Sequence, residues 1–117
     1  PPQGSIFEGA RWVPWDERDN TVATADLIVQ TTPLGMAGQP GLEINLDPAG
    51  EDTIIYDIVY KPLITPLIAA ARARGLRTVT GIGMLVHQAR LAFDLWFGIM
   101  PDIDADVMRA IGMDGVS

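Results

Sequence analysis

The chain of 117 residues contains no cysteine and a single histidine. The absence of cysteine excludes a disulfide framework and thiolate-bound metal sites. A nucleophilic triad is not expected either, because the serines, Ser5 and Ser117, lie near the chain ends. No spacing of histidine and acidic residues is typical of metal ligands, so no metal site is predicted.

Basic residues are scarce, with 8 Lys and Arg against 15 Asp and Glu and a net charge of −7. A nucleic-acid partner is therefore not expected, because binding phosphates requires clustered cations. One cluster exists, at Arg72, Arg74 and Arg77, and we interpret it as the solvated end of a helix.

Long apolar runs are also missing. The longest, around "PLITPLIAAA", is far shorter than the ~20 residues of a membrane span. The first residues, "PPQGSIFEGARW", do not resemble a signal peptide, so we expect no membrane association and a cytoplasmic location. Because no initiator methionine is present, we expect the chain to start inside a longer protein.

Three short apolar segments are predicted to be strands: "ADLIVQTTP", "TIIYDIVY" and "LRTVT". The second is apolar almost without alternation, which is typical of a strand covered on both faces in a parallel sheet. Its one charge, Asp57, then requires hydrogen-bond partners. The segment from residue 35 to 52, rich in Gly, Pro and Asp, is predicted to be a loop.

Helices are predicted between and after these strands. Thr65, Pro66 and Gly75 have the order of an N-cap, a first helical residue and a residue just past the helix end. A long helix is expected from Gly81 to Gly98, and a closing helix between Asp104 and Gly112. We therefore predict an α/β fold, a partial Rossmann-like three-layer αβα unit with about three parallel strands and C-terminal helices.

Ligands of parallel sheets bind outside the carboxyl ends of the strands, which here are "QTTPLG", "IVYKP" and "TGIGM". In the last corner, Gly81 and Gly83 have the spacing of a phosphate-binding loop, but Val86 stands at the third glycine position and no strand follows to carry an acidic residue. Two interpretations remain: a phosphate cradle, or a tight turn that starts the helix close to the sheet.

Gln88 is predicted to lie among apolar neighbours on the long helix, outside the polar stripe that contains His87. A buried amide requires a partner, which is either a protein group or a ligand. His87 is interpreted as a surface residue. At the strand ends, Tyr60 either hydrogen-bonds a ligand or caps the core, and the hydroxyls of Thr31 and Thr32 either bind a ligand or satisfy the turn.

Taken together, "ADLIVQTTPLGM", "YDIVYKPLITPLIAAARARG" and "TGIGMLVHQARLAFDLWFG" resemble the C-terminal half of shikimate dehydrogenases over residues 25–101. The family patterns are N-T/A-T-P-L-G-M, D-x-V-Y-x-P-x-x-T and G-x-G-M-L-V-x-Q-A. One departure is Gln30, where the family usually has Asn. The resemblance implies an oxidoreductase that reduces 3-dehydroshikimate to shikimate with NADPH in aromatic amino-acid biosynthesis.

The resemblance also implies roles for individual residues. Tyr60 and Gln88 would bind the substrate, whereas the nicotinamide end of the cofactor would be bound by Thr32, Ile58, Gly81 and Met84. Residues 1–117 would form the C-terminal part of the NADP-binding domain, including its closing helices.

The family's catalytic Lys–Asp pair, its substrate domain and its glycine-rich phosphate loop are expected upstream of this chain. Lys61 does not lie at the catalytic position, so the chain alone is predicted to be inactive. The sequence leaves open a quinate/shikimate dehydrogenase that prefers NAD, and a non-catalytic α/β binding module. It also leaves open a homo-oligomer or association through exposed sheet edges.

Overall fold

The computed structural model describes residues 8–110, which contain a three-stranded parallel sheet in the order β1-β2-β3. Strand β1 is Leu27–Gln30, β2 is Ile54–Asp57 and β3 is Arg77–Val79. The predicted α/β fold with three parallel strands and helices is confirmed. Each strand is shorter than its apolar segment, because the ladder ends before the residues that form the loops at the carboxyl edge.

The register places corresponding residues of β1 and β2 side by side. Leu27 lies opposite Ile54, and Gln30 lies opposite Asp57 at the carboxyl end of the ladder. Since both strands run in the same direction, the loops that follow Gln30 and Asp57 emerge at the same edge of the sheet.

Helix α1, Pro66–Ala73, packs on β2 and β3 and has both predicted end signals. The Thr65 hydroxyl oxygen accepts a hydrogen bond from the Ile68 amide, and Pro66 is the first helical residue. At the other end, the amide of Gly75 donates to the Arg72 carbonyl. Gly75 has a φ of 75°, a left-handed conformation that favours glycine.

Helix α2, Gly81–Phe97, follows β3 directly and ends at Gly98 in a left-handed conformation. Helix α3, Ala105–Ala110, is capped by Asp104, whose carboxylate accepts a hydrogen bond from the Val107 amide. Both helices agree with the sequence-based prediction; the predicted end at Gly112 lies outside the described residues. Within those residues, no helix combines the length and the apolar character that a membrane crossing requires.

The core lies on one side of the sheet, between α1 and the long loop that joins β1 to β2. A 3-10 helix at Trp15–Thr24, which the sequence did not predict, contributes the fully buried Val22. The predicted loop contributes further apolar side chains. The buried core residues are Val22, Leu46, Ala49, Ile55, Leu67, Ile68, Ala71 and Leu76.

The opposite face of the sheet is open in the described residues. Leu27 and Val29 of β1 are about half exposed, as is much of α2 beyond its first turn. Exposed apolar surfaces of this kind are typical of faces that pack against another segment or partner.

Candidate functional site

A cleft of about 630 Å³ opens at the carboxyl ends of β1 and β2, beside the first turn of α2. This edge is where ligands of parallel α/β sheets bind. The cleft is lined by Thr31, Thr32, Pro33, Met36, Ala37, Ile58, Val59, Tyr60, Lys61 and Met84.

The loop after β1 forms the first wall, and the side chain of Gln30 organises it. The Gln30 Oε1 atom accepts hydrogen bonds from the amide and from the hydroxyl of Thr32, both at 2.5 Å. Its Nε2 donates to the Leu34 carbonyl oxygen at 2.8 Å. The Thr32 hydroxyl also accepts a bond from the Leu34 amide. The interpretation that the Thr32 hydroxyl satisfies the turn is therefore correct. Thr32 also lines the cleft, where the alternative interpretation places a ligand.

The residues after β2 form the second wall, and Asp57 organises them. Its Oδ1 accepts a hydrogen bond from the Val59 amide at 2.9 Å, and its Oδ2 accepts one from the Thr65 hydroxyl at 2.7 Å. The partners that the sequence required for this buried carboxylate are thereby identified. A bond from the Ala37 amide to the Lys61 carbonyl oxygen joins the two walls.

The start of α2 closes the third side. Gly81 is buried, and its backbone packs directly on the carbonyl groups of Ile58 and Val59. One turn later, Met84 reaches the cleft. The close packing of Gly81 supports the interpretation of a tight turn that starts the helix near the sheet.

The structure brings together most of the predicted site residues. Thr32, Ile58, Tyr60 and Met84 line one cleft, although they come from three separate segments of the chain. Gly81 lies behind the cleft wall that Ile58 forms.

The expectation that Gln88 is buried is wrong for the described residues, where its side chain is exposed. Gln88 does lie beside the apolar residues Leu91 and Leu95, as the helical period predicts. These leucines are also exposed, because no described segment covers that side of α2. Gln88 does not line the cleft. It lies one turn beyond Met84 on the same side of the helix. His87 is exposed, as predicted.

The lining combines apolar surfaces with a few polar groups, which suits a small organic ligand. Pro33, Val59 and Met84 supply apolar contacts, while Tyr60 and Lys61 supply a hydroxyl and an ammonium group. The sequence did not predict that Met36 and Ala37 face the cleft. Their position depends on how the loop folds back, for which apolar patterning gives no signal.

Comparison with known proteins adds a family match. Residues 81–111 match the family model described as "Shikimate 5'-dehydrogenase C-terminal domain". The shikimate dehydrogenase (NADP(+)) of Rhodospirillum rubrum is 52% identical over 96 residues, which are 82% of this chain and 34% of the relative.

Solved structures give the same result. The shikimate 5-dehydrogenase of Thermus thermophilus, in complex with NADP(H) and shikimate, matches with a TM-score of 0.72 and 31% identity over 92% of this chain and 39% of its own. The quinate dehydrogenase of Corynebacterium glutamicum, in complex with NAD, matches with a TM-score of 0.71 and 38% identity over 82% of this chain and 33% of its own. The predicted resemblance is confirmed, and the chain spans about a third of the length of these relatives.

Proposed function

We propose that this chain is the cofactor-facing part of the C-terminal domain of an NADP-dependent shikimate dehydrogenase. The observation that carries the proposal is the meeting of Thr32, Ile58, Tyr60 and Met84 at one cleft. These residues come from the three blocks of the family pattern, and each has a predicted contact with nicotinamide or substrate. The identity of 52% with an NADP-dependent relative supports the same activity.

The cleft fits the nicotinamide end of a dinucleotide. Apolar surfaces from Pro33, Val59 and Met84 can cover the faces of a planar ring. The Ile58 amide already donates to the Gln30 carbonyl oxygen, so the backbone group that Ile58 can offer to the carboxamide is its carbonyl oxygen. The cofactor would supply a hydride to the carbonyl carbon of 3-dehydroshikimate. The chain contributes orientation: Thr32, Ile58 and Met84 hold the ring, and Gly81 lets α2 approach it closely.

Two residues are proposed to bind the substrate. Tyr60, 48% exposed at the cleft mouth, can donate its hydroxyl to the substrate carboxylate. Gln88, which lies one turn beyond Met84 on α2, can hydrogen-bond a substrate hydroxyl. Holding substrate and cofactor in contact geometry supplies much of the rate enhancement in such a two-substrate reaction.

The remaining parts of the site are proposed to come from the rest of the protein. The family's Lys–Asp pair, which would transfer the proton, and its phosphate-binding loop are not assigned to any residue here. Lys61 faces the cleft but lies in the Tyr-x-Pro corner. We therefore expect the chain alone to be inactive and the complete protein to be a cytoplasmic enzyme.

A second candidate is a quinate/shikimate dehydrogenase that prefers NAD. The similarity to the quinate dehydrogenase of C. glutamicum, at 38% identity, favours it. A non-catalytic module that kept only the fold is the third alternative.

A steady-state assay of the complete protein separates these candidates. NADPH and NADH oxidation is followed with 3-dehydroshikimate, and the reverse reaction with shikimate and with quinate. The proposal expects NADPH and 3-dehydroshikimate to give the highest kcat/KM. Preference for NADH and quinate would support the second candidate, and a folded protein without either activity would support the third.

A further inference from the structure

Beneath the cleft lies a buried polar pair for which the proposed reaction has no direct use. Gln30 is 4% exposed and Asp57 is 1% exposed, and they face each other in register at the ends of β1 and β2. The Gln30 Nε2 atom lies 3.5 Å from Asp57 Oδ1, a long contact between a donor and a charged acceptor. Burying such groups is costly unless they are hydrogen-bonded, and both are.

The hydrogen bonds of Gln30 converge on the loop that forms the first wall. The side-chain Oε1 of Gln30 accepts two hydrogen bonds from Thr32, and the side-chain Nε2 donates one to Leu34. All three bonds therefore hold the same turn. The Thr32 amide has its partner in this side chain and takes no part in the strand ladder. The position of Thr32 therefore depends on where the Gln30 amide lies.

Asp57 does the same for the second wall. It binds the Val59 amide two residues ahead and the Thr65 hydroxyl at the start of α1. Since Asp57 is fixed from the α1 side, its contact with Gln30 relates the first wall to the second.

Resting on the proposed function, we propose that Gln30 is a positioning residue for hydride transfer. Gln30 does not line the cleft, and it acts through Thr32, which does. The Gln30 side chain reaches both Thr32 and the Leu34 carbonyl oxygen, which a shorter amide side chain would not reach in the same geometry. Loss of the Gln30 amide would let the first wall move relative to the nicotinamide ring proposed to contact Thr32. A displacement of about 1 Å between reacting groups lowers the rate by up to about 100-fold.

The test compares Gln30→Met and Gln30→Asn in the complete protein, with Gln39→Met as control. Methionine has nearly the shape of glutamine without its hydrogen bonds, and asparagine keeps the amide on a shorter stem. Gln39 lies on the exposed loop after the first wall, so the same substitution there removes no buried partner.

We expect a graded loss of kcat: about 10- to 100-fold for Gln30→Met, less for Gln30→Asn, and none for Gln39→Met. The deuterium isotope effect on kcat, with NADPH deuterated at C4, rises in the same order because hydride transfer becomes slower. A role confined to folding would lower the thermal midpoint and leave kcat per folded enzyme and the isotope effect unchanged. That result overturns the proposal.

Amide hydrogen exchange gives a reading that does not depend on activity. Exchange at Thr32 is expected to become at least about 10-fold faster in Gln30→Met, while amides inside β2 keep their rates. Should Gln30→Met not fold, Gln30→Asn decides: unchanged exchange at Thr32 together with unchanged kcat overturns the proposal. A wild-type protein that does not reduce 3-dehydroshikimate refutes the proposed function instead, and exchange at Thr32 still tests the geometry.

Discussion

Gly81, the first residue of α2, packs so closely on Val59 that a β-carbon at Gly81 would lie 2.8 Å from the Val59 carbonyl oxygen. The neighbouring carbonyl of Ile58 is closer still. Real β-carbons do not approach backbone oxygens to this distance, so α2 can start here only on glycine. This contact holds the helix that carries Met84 and Gln88 against the wall of the cleft.

Gly81→Ala is expected to displace α2 and lower the free energy of unfolding by about 1–3 kcal/mol, the usual cost of forcing extra volume into a packed site. Denaturant unfolding of the complete protein measures the change, and kcat/KM falls because the cleft wall moves. Gly50→Ala is the matched control, because a β-carbon there meets only the Thr53 hydroxyl at 3.6 Å. Equal stability of the two variants would contradict the packing argument.

Gln88→Ala is expected to raise KM for 3-dehydroshikimate about 2- to 12-fold, the value of one hydrogen bond to a neutral group. KM for NADPH stays nearly unchanged, because Gln88 does not line the cleft proposed for the nicotinamide. His87→Ala, at the neighbouring exposed position, controls for effects on the helix itself. Unchanged kinetics of Gln88→Ala would remove Gln88 from the substrate site.

Thr65→Val is expected to destabilise the protein by about 1–3 kcal/mol, since it removes both the cap of α1 and the hydroxyl that donates to Asp57. Thr65→Ser keeps the hydroxyl and is expected to lose much less. Denaturant unfolding of Thr65→Val against the wild type measures the hydroxyl, and Thr65→Ser measures the methyl group. Equal losses would mean that the hydroxyl contributes no more to stability than the methyl group, which would contradict the prediction.

The isolated chain is expected to self-associate, because α2 exposes a continuous apolar surface in which Leu95 is 83% and Trp96 is 78% exposed. Sedimentation at micromolar concentration should give a mass above that of the monomer. Trp96→Glu should reduce association, whereas Gln39→Glu, with the same added charge at an exposed position, should not. A monomer at every concentration would show that this surface is not adhesive.

The sequence predicts the elements of this fold well because their signals are local. Thr65, Pro66 and Gly75 mark α1, and the apolar segment around Asp57 marks β2. The expectation that β2 is covered on both faces is wrong for the described residues, because Ile54 and Tyr56 are only partly buried. The contribution of Val22 and Leu46 to the core was not predicted, since irregular segments have no periodicity that indicates which side chains point inward.

The sequence predicts only part of the candidate site. Parallel strands bring their carboxyl ends together, so the meeting of Thr32 and Tyr60 followed from topology. The Gln30 network did not, because it depends on side-chain reach across a turn. Gln88 was expected to be buried because the helical period places it on an apolar face of α2. The period does not reveal whether another part of the protein covers that face.

The central claim is that the cleft binds the nicotinamide end of the cofactor, and Met84 reports on it directly. The measurement is the methyl NMR signal of Met84 in the complete protein labelled with ¹³C-methyl methionine, assigned with Met84→Leu. The account predicts that NADP⁺ shifts this signal, whereas adenosine 2′,5′-bisphosphate, which lacks nicotinamide, does not. A signal that responds to neither compound, or equally to both, would contradict the account.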